Sequence, residues 1–275
     1  MKPEKSFLVI FALFLFTLPL FAQYNTNKDD ATNTAIFKST GVSGSNEIQG
    51  QNNEINNQNN NINKGERKMY EWKLKARPYS DEEAKELLKS VMSPETTEWH
   101  YKTHQNGYVV KLNEIEKALE TADKSAANAN YSNFGELKRR YTFNHAGNLL
   151  HEIFWANLGG DGDPKNGKEI LAQIEKDFGS FENWKADFKA TTIAAKNSGW
   201  GLLVYDLLGS GKLINVLVDE HHYGAIWGGI PLIACDVFEH AYYHKDGPAR
   251  AKYIDNFIAD LHWGRINETY KKYVK

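Results

Sequence analysis

The stretch CDVFEHAYYH, residues 235–244, follows the apolar run GGIPLIA and places Asp236 at its end and His240 four residues later. A carboxylate and an imidazole beside a water-poor segment are costly unless paired, hydrogen-bonded or bound to a metal. Other imidazoles stand elsewhere in the chain. His100, His104 and Tyr108 are four residues apart in a helical stretch and project from one face. His151 sits on the apolar side of a further helix, beside Phe154 and Trp155. The surrounding HEIFW is not the HExxH of zinc proteases, because its fifth residue is Trp155. A lone imidazole on an apolar face is usually a packed core residue. Three imidazoles and one carboxylate together make an N3O donor set that suits zinc, iron or manganese. Zinc hydrolysis and metal redox chemistry are both open at this point.

These residues need elements to position them. SDEEAKELLKSVM opens on Ser80 as an N-cap with acids in its first turn, predicting a short helix. SPETTEWHYKTHQNGYVVKLNEIEKALETAD carries an N-cap at Ser93, proline next to it and apolar residues at helical spacing. YTFNHAGNLLHEIFWANL sets Leu149, Leu150, Ile153, Phe154 and Leu158 on one broad face, so it too is helical. GKEILAQIEKDFGSFENWKADFKATTIA reads as one or two helices. GWGLLVYD and KLINVLVD are β-rich runs joined by LLGSG, a hairpin signal, and IPLIACD is a third strand. The tail PARAKYIDNFIADLHWGRINETYKKYV returns to helix, with Tyr253, Phe257 and Leu261 spaced by four. Helices, then a small antiparallel sheet, then helices form an α+β plan.

The chain outside these elements is of two other kinds. Residues 1–22 run from Lys2 and Lys5 through an uncharged apolar stretch to Ala22, the pattern of a secretory signal peptide. Residues 23–67 are rich in Asn, Gln, Gly and Ser without amphipathic period, a composition that reads as a disordered tether. The globular part divides into a helical-hairpin domain at 68–160 and an α/β domain at 161–275. Charge is near balance, with 33 Lys and Arg against 35 Asp and Glu, so nothing points to nucleic acid. The single Cys235 excludes an intrachain disulfide framework. No segment after the leader reaches the roughly 20 apolar residues of a membrane span. Export to the periplasm or the extracellular space is the expectation.

From about residue 69 onward the chain resembles the iron/manganese superoxide dismutases. DVFEHAYY is close to that family's signature, with Phe238 where the family usually has Trp. ETTEWHYKTHQNGYVVKLN resembles its first metal-binding helix, FNHAGNLLHEIFWANL its second and NSGWGLLVYD its entry into the sheet. The resemblance implies a helical-hairpin domain followed by a domain with a three-stranded antiparallel sheet flanked by helices. It implies one iron or manganese ion per subunit held by His100, His151, Asp236 and His240, with superoxide as substrate. It further implies that Tyr108 and His104 line the substrate channel, that Trp155 and Trp200 wall the cavity, and that Arg250 stands near the entrance. Glu239 with His240, and Tyr243 with His104, match pairs that join two subunits, so a homodimer or homotetramer is expected. Family members place a glutamine near the solvent on the metal. At the helix position for it this chain has Gly147, and the loop VDEHHYGAIWGGIPL has none. By alignment His221, with His222 its neighbour, takes that role, which inclines the expectation toward iron, with either metal open. The other reading is a protein of this fold kept for binding or surface duty without activity, suggested by the Asn-rich tether.

Overall fold

The computed structural model describes residues 69–196 and 198–274. The expected signal peptide (1–22) and Asn-rich linker (23–67) lie outside the described residues.

Short-range signals set the first elements. Helix α1 (Asp81–Leu87) starts on a full capping box, in which the Ser80 side chain accepts from the Glu83 amide and the Glu83 carboxylate accepts from the Ser80 amide. Helix α2 (Pro94–Trp99) starts on Ser93, whose hydroxyl accepts from the Thr96 amide, with Pro94 leading the helix. The expected long second helix is not uniform. A π-helical turn, His100–Gln105, intervenes before α3 (Asn106–Thr121) resumes α geometry. Helix α4 (Asn133–Asn157) starts eight residues before the apolar pattern, on the Ser132 cap. Its apolar face buries Leu150 and Phe154, with Leu158 following at the C-cap, whereas Leu149 is 40% exposed. Leu149 is turned about 100° from Leu150 around the helix axis, which carries it off that face.

The next segment is two helices, α5 (Lys168–Phe178) and α6 (Phe181–Ala194). Gly179 ends α5 at φ 84° and Ser180 caps α6. The three strands are β1 (Gly199–Asp206), β2 (Leu213–Asp219) and β3 (Gly229–Asp236), ordered β2-β1-β3 and antiparallel throughout. In register, Trp200 lies opposite Asp236. Leu232 is left unpaired by the register shift beside Pro231, and its carbonyl accepts from Asn157 Nδ2 at 2.9 Å. Asn157 Oδ1 accepts from the Ala234 amide at 2.9 Å, so one side chain at the end of α4 grips β3 twice.

Helix α7 (Glu239–Asp246) follows β3 directly, and the chain closes with α8 (Arg250–Ala259) and α9 (Trp263–Tyr273). The expected single C-terminal helix is therefore two, and Leu261 lies in the break between them. The loop after α4 accounts for the break. Gly160 and Gly162 amides donate to the Asp260 and Leu261 carbonyls, and the His262 amide donates to the Asn157 carbonyl. A Cβ at Gly160 would meet the Leu261 carbonyl at 2.4 Å, so only glycine permits the approach. Leu261 remains fully buried in the core with Phe154, Trp184 and Trp263. The architecture is the expected α+β plan, helices first and then a three-stranded antiparallel sheet with helices around it.

Candidate metal centre

The four N3O side chains come from four elements. His100 opens the π-turn, His151 lies mid-α4, Asp236 ends β3 and His240 is the second residue of α7. Their ligating atoms all lie within 4.8 Å of one another. Asp236 Oδ1 accepts from the Phe238 amide at 2.8 Å, which leaves Oδ2 facing the imidazoles. The Nε2 atoms of His100, His240 and His151 lie 3.0, 3.4 and 3.6 Å from that oxygen. His151 Nδ1 donates to the Gly147 carbonyl at 2.6 Å, so Nε2 carries the lone pair. His151 Nε2 and His240 Nε2 are buried without a hydrogen-bond partner in the described structure.

That arrangement passes the test for an ion. Donors held about 2.0–2.2 Å from one centre stand at most about 4.4 Å apart, close to the spread seen. Unpartnered buried imidazole nitrogens aimed at a carboxylate are costly by themselves, and a cation removes the cost. Burial drives the His100 imidazole down to about 4, and drives His151 well below its ordinary value. Burial also opposes the Asp236 carboxylate, but the neighbouring His240 and His100 prevail and hold it below the usual carboxylate range. Neutral imidazoles and an ionised carboxylate are the ligand forms a metal requires.

Aromatic rings close the centre. Trp155 and Phe154 lie 5.2 and 5.0 Å from the His100 ring, and Trp200 lies 5.1 Å from His151. Gln105, which sequence reading passed over, is fully buried and accepts from Trp155 Nε1 at 2.8 Å. A polar residue inside a helical stripe gave no cue, because its burial depends on the π-turn. Phe143 was also missed, and it meets the His221 ring edge-on at 4.6 Å.

On the open side, His104 stacks on His240 at 4.0 Å and 14°. Tyr108 lies 5.4 Å from the His151 ring, and burial raises its phenol above the ordinary value. His221 is 2% exposed, and burial lowers its imidazole to about 4. Its Nδ1 accepts from Trp200 Nε1 at 3.0 Å and its Nε2 is 2.7 Å from the Tyr108 hydroxyl. A Cβ at Gly147 would lie 3.2 Å from His221 and 3.1 Å from Tyr108, so the missing side chain on α4 is the space the two rings fill. Phe238 stacks on the other side of His221 at 4.8 Å and 14°. His222 is not in this cluster; it stacks on Tyr223 at 4.3 Å. Arg250 turns its guanidinium to the Ala195 and Val237 carbonyls and the Tyr242 hydroxyl, tying the entry of β1 to the exit of β3.

An α+β protein with three imidazoles and one aspartate around a space for one ion is a mononuclear metalloprotein of the redox-capable N3O class. The family profile "iron/manganese superoxide dismutases, alpha-hairpin domain" matches residues 71–159, and "iron/manganese superoxide dismutases, C-terminal domain" matches residues 165–269. The chain is 40% identical over 191 residues to a protein of Haloarcula marismortui named superoxide dismutase [Mn], covering 69% of this chain and 90% of that one. It is 39% identical over 189 residues to superoxide dismutase [Fe] of Aquifex aeolicus, covering 67% and 86%. Superoxide dismutase [Mn] 1 of Haloferax volcanii is 38% identical over 207 residues, covering 75% and 98%. The chain belongs to the iron/manganese superoxide dismutase family.

Proposed function

We propose that His100, His151, Asp236 and His240 hold one iron or manganese ion and that superoxide is dismutated there. The convergence of three imidazole nitrogens on Asp236 Oδ2 carries this reading. Bound there, either metal supplies a one-electron couple, trivalent to divalent and back, which turns two superoxide anions and two protons into dioxygen and hydrogen peroxide; zinc has no such couple. The chain contributes the rest. One carboxylate among neutral imidazoles leaves positive charge on the site and favours an anionic substrate. Phe154, Trp155 and Trp200 keep bulk water from its inner side, while His104 and Tyr108 line the approach. Both metals suit the donor set, and relatives of nearly equal identity are named for each. His221 in place of a glutamine inclines our reading toward iron.

A homodimer is part of the same reading. His240 is the only one of the four ligands that is not fully shielded, its side chain being 20% exposed against 0% for Asp236. Tyr243 and Trp99 are about half exposed beside it. A second copy supplying Glu239 to His240 and Tyr243 to His104 would cover that opening. Export by a cleaved leader, with residues 23–67 as a tether, rests on composition. No helix among the described residues is long and apolar enough to cross a membrane.

Purified protein reconstituted separately with iron and with manganese tests the reading. Superoxide consumption with at least one metal is expected. Full metal occupancy and a folded chain without consumption for either metal overturns it in favour of a binding role. Sedimentation reads the assembly, and a monomer at micromolar concentration excludes the dimer.

A further inference from the structure

Hydrogen-bond chemistry around His221 admits one arrangement of protons. The Trp200 indole N–H, 3.0 Å from Nδ1, can only donate, so Nδ1 is bare and accepts. A doubly protonated ring would set N–H against N–H. The ring's single proton is therefore on Nε2, 2.7 Å from the Tyr108 hydroxyl, and it is donated to that oxygen. The Tyr108 oxygen, accepting from His221, keeps its own proton off that axis. Among the described residues His221 is the hydrogen-bond partner of this hydroxyl.

The ring cannot swap its nitrogens by flipping. Phe238 stacks on it, Phe143 abuts it and Gly147 closes against Cδ2. A glutamine amide in this place would offer two N–H groups, whereas the imidazole offers one, and Tyr108 takes it. The action of His221 on the centre thus passes through Tyr108.

We propose that Trp200 is a positioning residue that sets the His221 tautomer and, through it, turns the Tyr108 O–H toward the space between the four ligands, where a small anion meets it as a donor. This rests on the metal-site reading above for its anion, but the tautomer assignment does not. Nothing in the sequence distinguishes this role of Trp200 from core packing, since only the crossing of β1 with the loop after β2 brings indole to imidazole.

Protein labelled with 15N histidine and loaded with zinc, which is diamagnetic, tests the assignment by long-range 1H–15N correlation. His221 is expected with Nε2 protonated and Nδ1 accepting, and in Trp200→Phe the proton should spread over both nitrogens. A protonated Nδ1 in the parent protein overturns the proposal, as does an unchanged tautomer in Trp200→Phe. Should that variant not fold, the parent spectrum decides. Azide titration of the iron-loaded protein tests the consequence. Trp200→Phe and Tyr108→Phe should each weaken azide binding by about fivefold, the scale of one hydrogen bond. The double variant should lose no more than either single one, because both act on one O–H. Multiplying losses overturn the route through His221. Superoxide consumption by the parent protein separates failure of the metal-site reading from failure of this one.

Discussion

Asp236 is the residue on which the centre closes, because three imidazoles approach one of its oxygens while the backbone holds the other. Asp236→Ala removes the sole anionic donor. Affinity for iron or manganese should fall by more than about 100-fold, beyond the range seen for residues that merely orient ligands. Metal content after gel filtration checks this, and retention of a full equivalent would place the ion elsewhere. Gly147 acts at the same scale by what it lacks. Alanine there gains about 1 kcal/mol of helix propensity, but its Cβ overpacks two fixed rings at a cost of about 1–3 kcal/mol. Gly147→Ala should lower stability in urea by about 1 kcal/mol, and a gain instead would mean that Tyr108 and His221 yield easily. His221 and Gly147 were legible as a pair in the sequence only as an absent glutamine and a nearby histidine; their contact was not.

Elements position these residues through their ends. The π-turn starts at His100, β3 stops at Asp236, and Asn157 at the end of α4 locks that strand. The α8–α9 break performs a similar service for the loop after α4, through Asp260. Its carboxylate accepts from the Gly159 amide at 2.7 Å and the Ser90 hydroxyl at 3.2 Å, yet burial prevails and lifts it from 3.8 to about 6. A carboxyl whose folded value is raised stabilises the fold below the unfolded value and loses that contribution as pH rises through the folded one. Between pH 4 and pH 7 this group alone should cost about 3 kcal/mol. Asp260→Asn, neutral at every pH, should therefore exceed the parent in stability by about 2 kcal/mol at pH 7, with the gap closing toward pH 4. Urea midpoints across that range measure it, and a constant gap would show that Asp260 does not titrate there. The break itself escaped sequence reading because apolar spacing continues through Leu261, and the interruption comes from amides of a distant loop.

At the scale of the molecule, the family match begins at residue 71 and the first contacts begin beside it. The Trp72 amide donates to Asn113 Oδ1, Asn113 Nδ2 donates to the Trp72 carbonyl, and the Tyr101 hydroxyl donates to the Lys75 carbonyl. A chain cut to Met69–Lys275 keeps all of these. It should fold, bind metal and consume superoxide at the full-length rate per bound ion. A truncated chain that loses metal or activity would give residues 1–68 a part in the site.

The sequence alone determined the kinds and order of the elements, because caps, glycine stops and apolar periods act over a few residues. It also carried the four ligands, since each stands within a local motif whose neighbours identify it. Tertiary structure decided which nitrogen faces the centre, where the π-turn falls, and that Trp200, His221 and Tyr108 form one hydrogen-bonded line. Those depend on contacts between segments up to 113 residues apart. Local propensity carries no record of such contacts; the geometry of packing sets them.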